Sequence, residues 1–145
     1  MVEYIWHEGP VPKNMRVTQV AGILFNDKNE ILLRKDKNGV YGLAGGHPEG
    51  NETREETLHR EVDEEVNCKI DELQYLGYQA VHGDGEPYAQ LRYSAHVAEF
   101  GSSRPDPDNG QTYERIYVPA KDANKYLKYG KAGDQIIAVA IKTRS

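Results

Sequence analysis

Several things are scarce in this 145-residue chain, and each scarcity removes a class of explanation. A single cysteine, Cys68, rules out an intrachain disulfide. No apolar run approaches the roughly 18 residues of a transmembrane helix. The opening Met1-Val2-Glu3-Tyr4-Ile5-Trp6 lacks the basic start and long apolar stretch of a secretory signal, so a cytoplasmic protein is expected, away from membranes. Cations are also few: 18 Lys and Arg against 23 Asp and Glu give a net charge of −5. That leaves no basic footprint for duplex nucleic acid, whose binding depends on neutralised phosphates. Small phosphorylated ligands remain compatible, the more so if a cation stands between ligand and protein. No internal repeat, low-complexity tail or long linker is present, so residues 1–145 are expected to form one domain.

What is present begins with β-structure. Arg16 to Asn26 is β-branched and apolar, turns through Asp27 to Glu30, and continues as Ile31 to Arg34, which predicts a hairpin. Val40 to Ala44 is a short candidate strand that runs into Gly45-Gly46. Further strands are expected at Leu73 to Val81, Tyr88 to Phe100 and Tyr113 to Val118. The first two are joined by His82-Gly83-Asp84-Gly85-Glu86-Pro87. Helical patterns occupy Glu52 to Val66, Lys121 to Lys128 and Asp134 to Lys142. Asp134 is the expected N-cap of the last, with Ile136, Val139 and Ala140 on one face.

The Glu52 to Val66 stretch carries the chemistry. It contains neither Gly nor Pro, and Leu58, Val62 and Val66 recur at the spacing of one buried stripe. Glu61, Glu64 and Glu65 fall at i, i+3 and i+4, so three carboxylates crowd another face. Alone, such a Glu-rich face is ordinarily solvated surface. Their mutual repulsion, about 0.2–0.5 kcal/mol per pair on an exposed helix, changes sign when a cation sits among them. Clustered oxygen ligands suit Mg²⁺ or Mn²⁺ better than zinc. Arg60 adjoins this face and can fork onto Glu52, fixing the preceding loop against the helix. Asn67 is expected to stop the helix in the left-handed conformation.

From Gly46 through Glu52, Arg60, Glu61, Val62, Glu64 and Glu65 the spacing resembles the box of the Nudix hydrolases: Gly, five residues, Glu, seven residues, Arg-Glu-apolar-any-Glu-Glu. The stretch departs from that pattern at Asn67, where a glycine usually closes the box. It departs again at Ala44, often Pro, and at Asn51, where the glycine before the box Glu is displaced to Gly50. The resemblance implies an α/β fold, an α/β/α sandwich with a mixed β-sheet between helices. It also implies a Mg²⁺- or Mn²⁺-dependent hydrolase of diphosphate linkages in nucleoside triphosphates, ADP-ribose, nucleotide sugars or dinucleoside polyphosphates. In that reading Glu61, Glu64, Glu65 and the Gly45 carbonyl hold metal, Arg60 orients the box through Glu52, and Arg34 contacts phosphate. His47 and Tyr41 are further candidates for substrate contact. A carboxylate outside the box often completes such sites, and Glu114, Asp108 and Glu86, in that order, are the candidates here. A non-catalytic nucleotide-binding sensor or interaction module on the same fold is the competing reading; degenerate members lose box carboxylates, and this chain keeps them. A homodimer, through the N-terminal strand with Tyr4 and Trp6 or through the long hairpin, completes the expectations.

Overall fold

Alternation along Arg16–Phe25 sends Val20 and Leu24 to one side and Ala21, Ile23 and Phe25 to the other, and both sets are buried. A strand that is apolar on both sides needs a layer on each. The computed structural model, which describes residues 1–144, supplies them. Its sheet contains β1 (Glu3–His7), β2 (Arg16–Phe25), β3 (Glu30–Lys35), β4 (Tyr41–Gly42), β5 (Ala44–Gly46), β6 (Cys68–His82), β7 (Tyr88–Phe100) and β8 (Glu114–Pro119). Helix α1 (Arg54–Val66) covers one face; α2 (Ala123–Leu127) and α3 (Gly130–Arg144) cover the other. The expected α/β/α sandwich with a mixed sheet is the observed one. Among the described residues no helix is long and apolar enough to cross a membrane.

The strand order is β1-β6-β7-β2-β3-β4, with β5 also against β2 and β8 also against β3. The central β2–β7 pair is parallel; the other pairs are antiparallel. The hairpin expected from Arg16 to Arg34 is present only next to its turn, where Leu24 faces Leu32 and Phe25 faces Ile31. Beyond that point the two strands part, β3 taking β4 on that edge while β2 takes β5 along Val20 to Gly22; the other edge of β3 pairs with β8 throughout. This fork seats the glycine pair. The single strand expected at Val40 to Ala44 is therefore two pieces, because its halves pair with different neighbours.

Helix α1 starts two residues later than the apolar pattern suggested, since Thr53 forms a capping box with Glu56. The Thr53 hydroxyl accepts from the Glu56 N–H at 3.1 Å and the Glu56 carboxylate accepts from the Thr53 N–H at 2.8 Å. Leu58, Val62 and Val66 are buried against β2, β6 and β7, each contributing about 1.5–3 kcal/mol. Asn67 ends the helix at φ 48°, the left-handed cap expected of it, and its side chain donates to the Ser102 carbonyl at 2.7 Å.

At the other end of the chain the boundaries move. The Lys121 to Lys128 pattern divides into a 3-10 turn at Ala120–Asp122 and the short α2. Helix α3 begins at Gly130, one turn before Asp134, so Asp134 is not its N-cap; its carboxylate accepts instead from the Asn124 side chain at 2.7 Å. Strand β6 starts at Cys68, five residues before the expected Leu73, because its pairing with β7 continues across three irregularities down to Cys68 opposite Phe100. On the edge strand β1, Trp6 turns into the core while Tyr4 and Ile5 stay exposed.

Candidate active site

The glycine pair lies where the sheet forks, and its geometry explains why no side chain stands there. A Cβ on Gly46 would fall 2.4 Å from the Glu61 carboxyl carbon, and one on Gly45 would fall 2.4 Å from the Val20 carbonyl oxygen. The loop thus presses backbone against the acidic face of α1. The Gly45 N–H donates to Glu65 at 3.2 Å.

Arg60 organises this face. Its guanidinium forks onto Glu52 with distances of 2.7 and 3.1 Å, the clamp expected from the sequence. The same group donates to Glu61 at 2.8 Å, to Glu64 at 3.1 Å and to the His47 carbonyl at 3.0 Å. One cation therefore joins the loop, the start of the box and two of its carboxylates. The bond from Arg60 holds the Glu52 carboxyl down at about 2, and the same bond raises the Arg60 pKa.

Glu61 and Glu65 are both buried, and Glu64 is half-buried. Burial pushes Glu65 up to about 8; the nearby Arg34 pulls it down and contact with Glu61 raises it further. Glu64 is also raised, first by burial and next by the charge of Asp108. Asp108 comes from the loop between β7 and β8. The carboxylate oxygens of Glu61, Glu64 and Asp108 lie within 4.8 Å of one another. Crowded hard oxygen donors, facing a backbone with no room for a Cβ, fit a divalent ion such as Mg²⁺ or Mn²⁺.

Of the three carboxylates considered outside the box, the structure brings Asp108 into this group and leaves the others apart. Glu114, placed first from the sequence, is exposed at the start of β8 and pairs with Lys35 at 3.7 Å. Glu86 is exposed in the turn between β6 and β7. Sequence order favoured Glu114 because it begins a strand; what decides is the fold of the loop. Its Asp106 carboxylate accepts from the Asp108 N–H at 2.9 Å, and Asp106 and Gln111 close the turn at 2.8 Å. Arg104 then ties the loop to Asp63 of α1 at 2.8 Å. An Asp-x-Asp run in a loop is the local signal for such a turn.

The remaining candidates are placed as follows. Arg34, on β3, lies 2.9 Å from Glu65, donates to the Leu43 carbonyl at 3.1 Å and stacks over Tyr113 at 4.5 Å from the ring centre. Its guanidinium is engaged with the box rather than extended toward open space. The His47 ring makes a 2.9 Å hydrogen bond with the Thr18 carbonyl. Tyr41 packs edge-on to Tyr126 at 5.2 Å, on the side of the sheet that α2 and α3 cover.

Comparison with known proteins agrees with this arrangement. The profile of the NUDIX domain matches residues 15–138. An NAD-capped RNA hydrolase NudC of Chromobacterium violaceum is 29% identical over 99 residues, 66% of this chain and 36% of that protein. A NudC of Pseudomonas fluorescens is 36% identical over 67 residues, 44% of this chain and 24% of that protein. The chain thus spans about a third or less of the length of these two curated relatives. Among solved structures, the Bacillus subtilis pyrophosphohydrolase BsRppH superposes with a TM-score of 0.76 at 19% identity, covering 98% of this chain and 91% of that one. An Ap4A hydrolase of C. elegans gives 0.66 at 14% identity, covering 87% of this chain and 96% of that one. At these identities the structural likeness speaks to the fold.

Proposed function

Because the chain belongs to the Nudix family, we propose that it is a metal-dependent hydrolase that cleaves the diphosphate linkage of a nucleoside diphosphate derivative. Nucleoside triphosphates, ADP-ribose, nucleotide sugars and dinucleoside polyphosphates are the substrate classes in view. The observation that carries the reading is the approach of the Glu61, Glu64 and Asp108 carboxylates to within 4.8 Å beside the Gly45-Gly46 backbone. In this reading Glu61 and Glu64 hold Mg²⁺ or Mn²⁺, with Asp108, Glu65 and the Gly45 carbonyl as further oxygen donors. Such an ion, when bound, neutralises diphosphate charge and lowers the pKa of water.

The chain's own part is position and charge. Arg60 keeps Glu52, Glu61 and Glu64 in one arrangement, so little reorganisation is needed when a ligand arrives. Water adds to phosphorus, the anhydride P–O bond breaks, and the leaving phosphate departs as an anion. The proton that water gives up goes to a carboxylate of the group, Asp108 in this reading. Arg34 holds Glu65 in place and is a phosphate contact only through that position. The buried thiol of Cys68 suits a reducing compartment such as the cytoplasm. Exposed Tyr4 and Ile5 on β1 offer an edge for a second copy.

The test is release of phosphate and nucleotide from a panel of these four classes with Mg²⁺, Mn²⁺ or EDTA. Metal-dependent cleavage of one class is the expected result. Intact metal binding with no cleavage across the panel would replace this reading by the non-catalytic sensor.

A further inference from the structure

On the α3 side of the sheet, Gln19, Gln79, Gln90 and Arg92 join Lys128 and Tyr129 around a cavity of about 340 Å³. Arg92 is 4% exposed, and among the described residues no carboxylate pairs with it. It donates through Nη1 to the Gln19 side-chain oxygen at 2.8 Å and to the Leu91 carbonyl at 3.1 Å; its Nε is buried without a partner, which leaves Nη2 to donate into the cavity. Burial pulls its pKa down to about 10, which still leaves a cation at neutral pH. A buried cation without a counter-charge is costly, and a cavity at its side gives that cost a use: acceptors supplied by a ligand. The Gln79 side-chain N–H donates to the Gln90 oxygen at 2.8 Å. That bond leaves the Gln79 oxygen free to accept and the Gln90 amide nitrogen free to donate.

We propose that this cavity takes the base of the substrate and selects a 6-oxopurine, Arg92 Nη2 donating to its O6 acceptor. This inference rests on the hydrolase reading of the carboxylate site. The Gln79 oxygen accepts from the N–H edge of the same ring, and Tyr129 supplies a face for it. Adenine presents an amino donor where a 6-oxopurine presents O6, and a guanidinium has only donors to offer it. The cavity adjoins the glycine loop through β2. Gln19 neighbours Val20, which is paired with Gly46, and the Thr18 carbonyl holds the His47 ring. The cavity and the glycine loop thus meet along the same stretch of β2.

The experiment is calorimetric titration of the intact protein with GMP, IMP, AMP and ribose 5-phosphate, in EDTA so that nothing turns over. GMP and IMP are expected to bind roughly 5- to 150-fold more tightly than AMP. Arg92→Gln, and Arg92→Met, which keeps the length but has no donor, are both expected to abolish that difference. Equal binding of GMP and AMP by the unaltered protein overturns the proposal, as does a preference that survives in a folded Arg92 variant. Ribose 5-phosphate binding as tightly as GMP overturns it too, by making the cavity a phosphate site. The hydrolase reading is separated by assaying the same preparation: metal-dependent cleavage without base preference sinks this inference alone. Selective binding without cleavage of any diphosphate sinks the hydrolase reading alone.

Discussion

On the α1 side of the sheet, β7 presents Ala89, Leu91, Tyr93 and Ala95, all part of the core that buries Leu58, Val62 and Val66. On its other side the same strand presents Gln90, Arg92, Ser94 and His96, which meet amides, Arg144 and carboxylates instead of a continuous apolar layer. Both faces are covered by helices, so the contrast is not one of inside against outside. The dry face holds α1 down, which keeps Glu61, Glu64 and Glu65 from retreating out of one another's reach. The polar face leaves a cavity, and a cavity lined with donors and acceptors is suited to recognition. One pleat thereby separates rigidity from selectivity, residue by residue.

The sharpest way to break the contrast is to open the dry face. Leu58→Ala should destabilise by about 2–5 kcal/mol, seen as a fall in the denaturation midpoint, because Leu58 is fully buried beneath the box. A loss under about 1 kcal/mol would mean that α1 is not anchored by this stripe. Next, Glu64→Gln should lower metal-dependent turnover by on the order of 10²-fold while leaving the metal-free midpoint unchanged or slightly raised, since it relieves repulsion. Turnover and thermal unfolding of the same variant check both halves. On the polar face, Arg92→Gln should stay within about 1 kcal/mol of the parent protein in denaturant titration, because no ion pair is lost. A strongly destabilised variant would show that Arg92 is structural.

The smallest effect concerns pH. His96 bonds Asp71 and Asp27, each at 2.8 Å, and these contacts raise its pKa, Asp71 first. A raised folded pKa contributes stability that is complete below the ordinary histidine value and is lost as pH climbs through the folded value. His96→Asn should therefore lie below the parent protein at about pH 5 and converge with it above neutrality, by a degree or two in the thermal midpoint. A gap that is the same at both pH values would remove the charge from the explanation.

The legible parts of this molecule were those encoded within a few turns of chain. The box helix, its buried stripe, the Arg60 clamp on Glu52 and the Asn67 cap all depend on spacings under nine residues and could be read directly. What escaped depended on partners that no local spacing specifies. The β2–β3 hairpin is shorter than its pattern suggests because β4 takes over the edge of β3 and β5 that of β2, and two short glycine-containing pieces announce no such pairing. The place of Asp108 beside Glu61 and Glu64 is not legible in the sequence because the turn that presents it is built from loop side chains rather than a periodic element. The polar cavity did leave a trace, in the alternating Gln90, Arg92 and Ser94. Its meaning appears only once both sheet faces are known to be covered, since on an open sheet such a stripe would face water.

The parallel pairing of β2 with β7 has a consequence for the order in which the molecule comes together. The Gly45–Glu65 contact spans 20 residues, whereas the Gln19–Arg92 contact spans 73. Closing the longer span costs more chain entropy before any contact rewards it. During folding the contact of the glycine loop with the box helix should therefore be favoured to form ahead of the contacts that line the cavity.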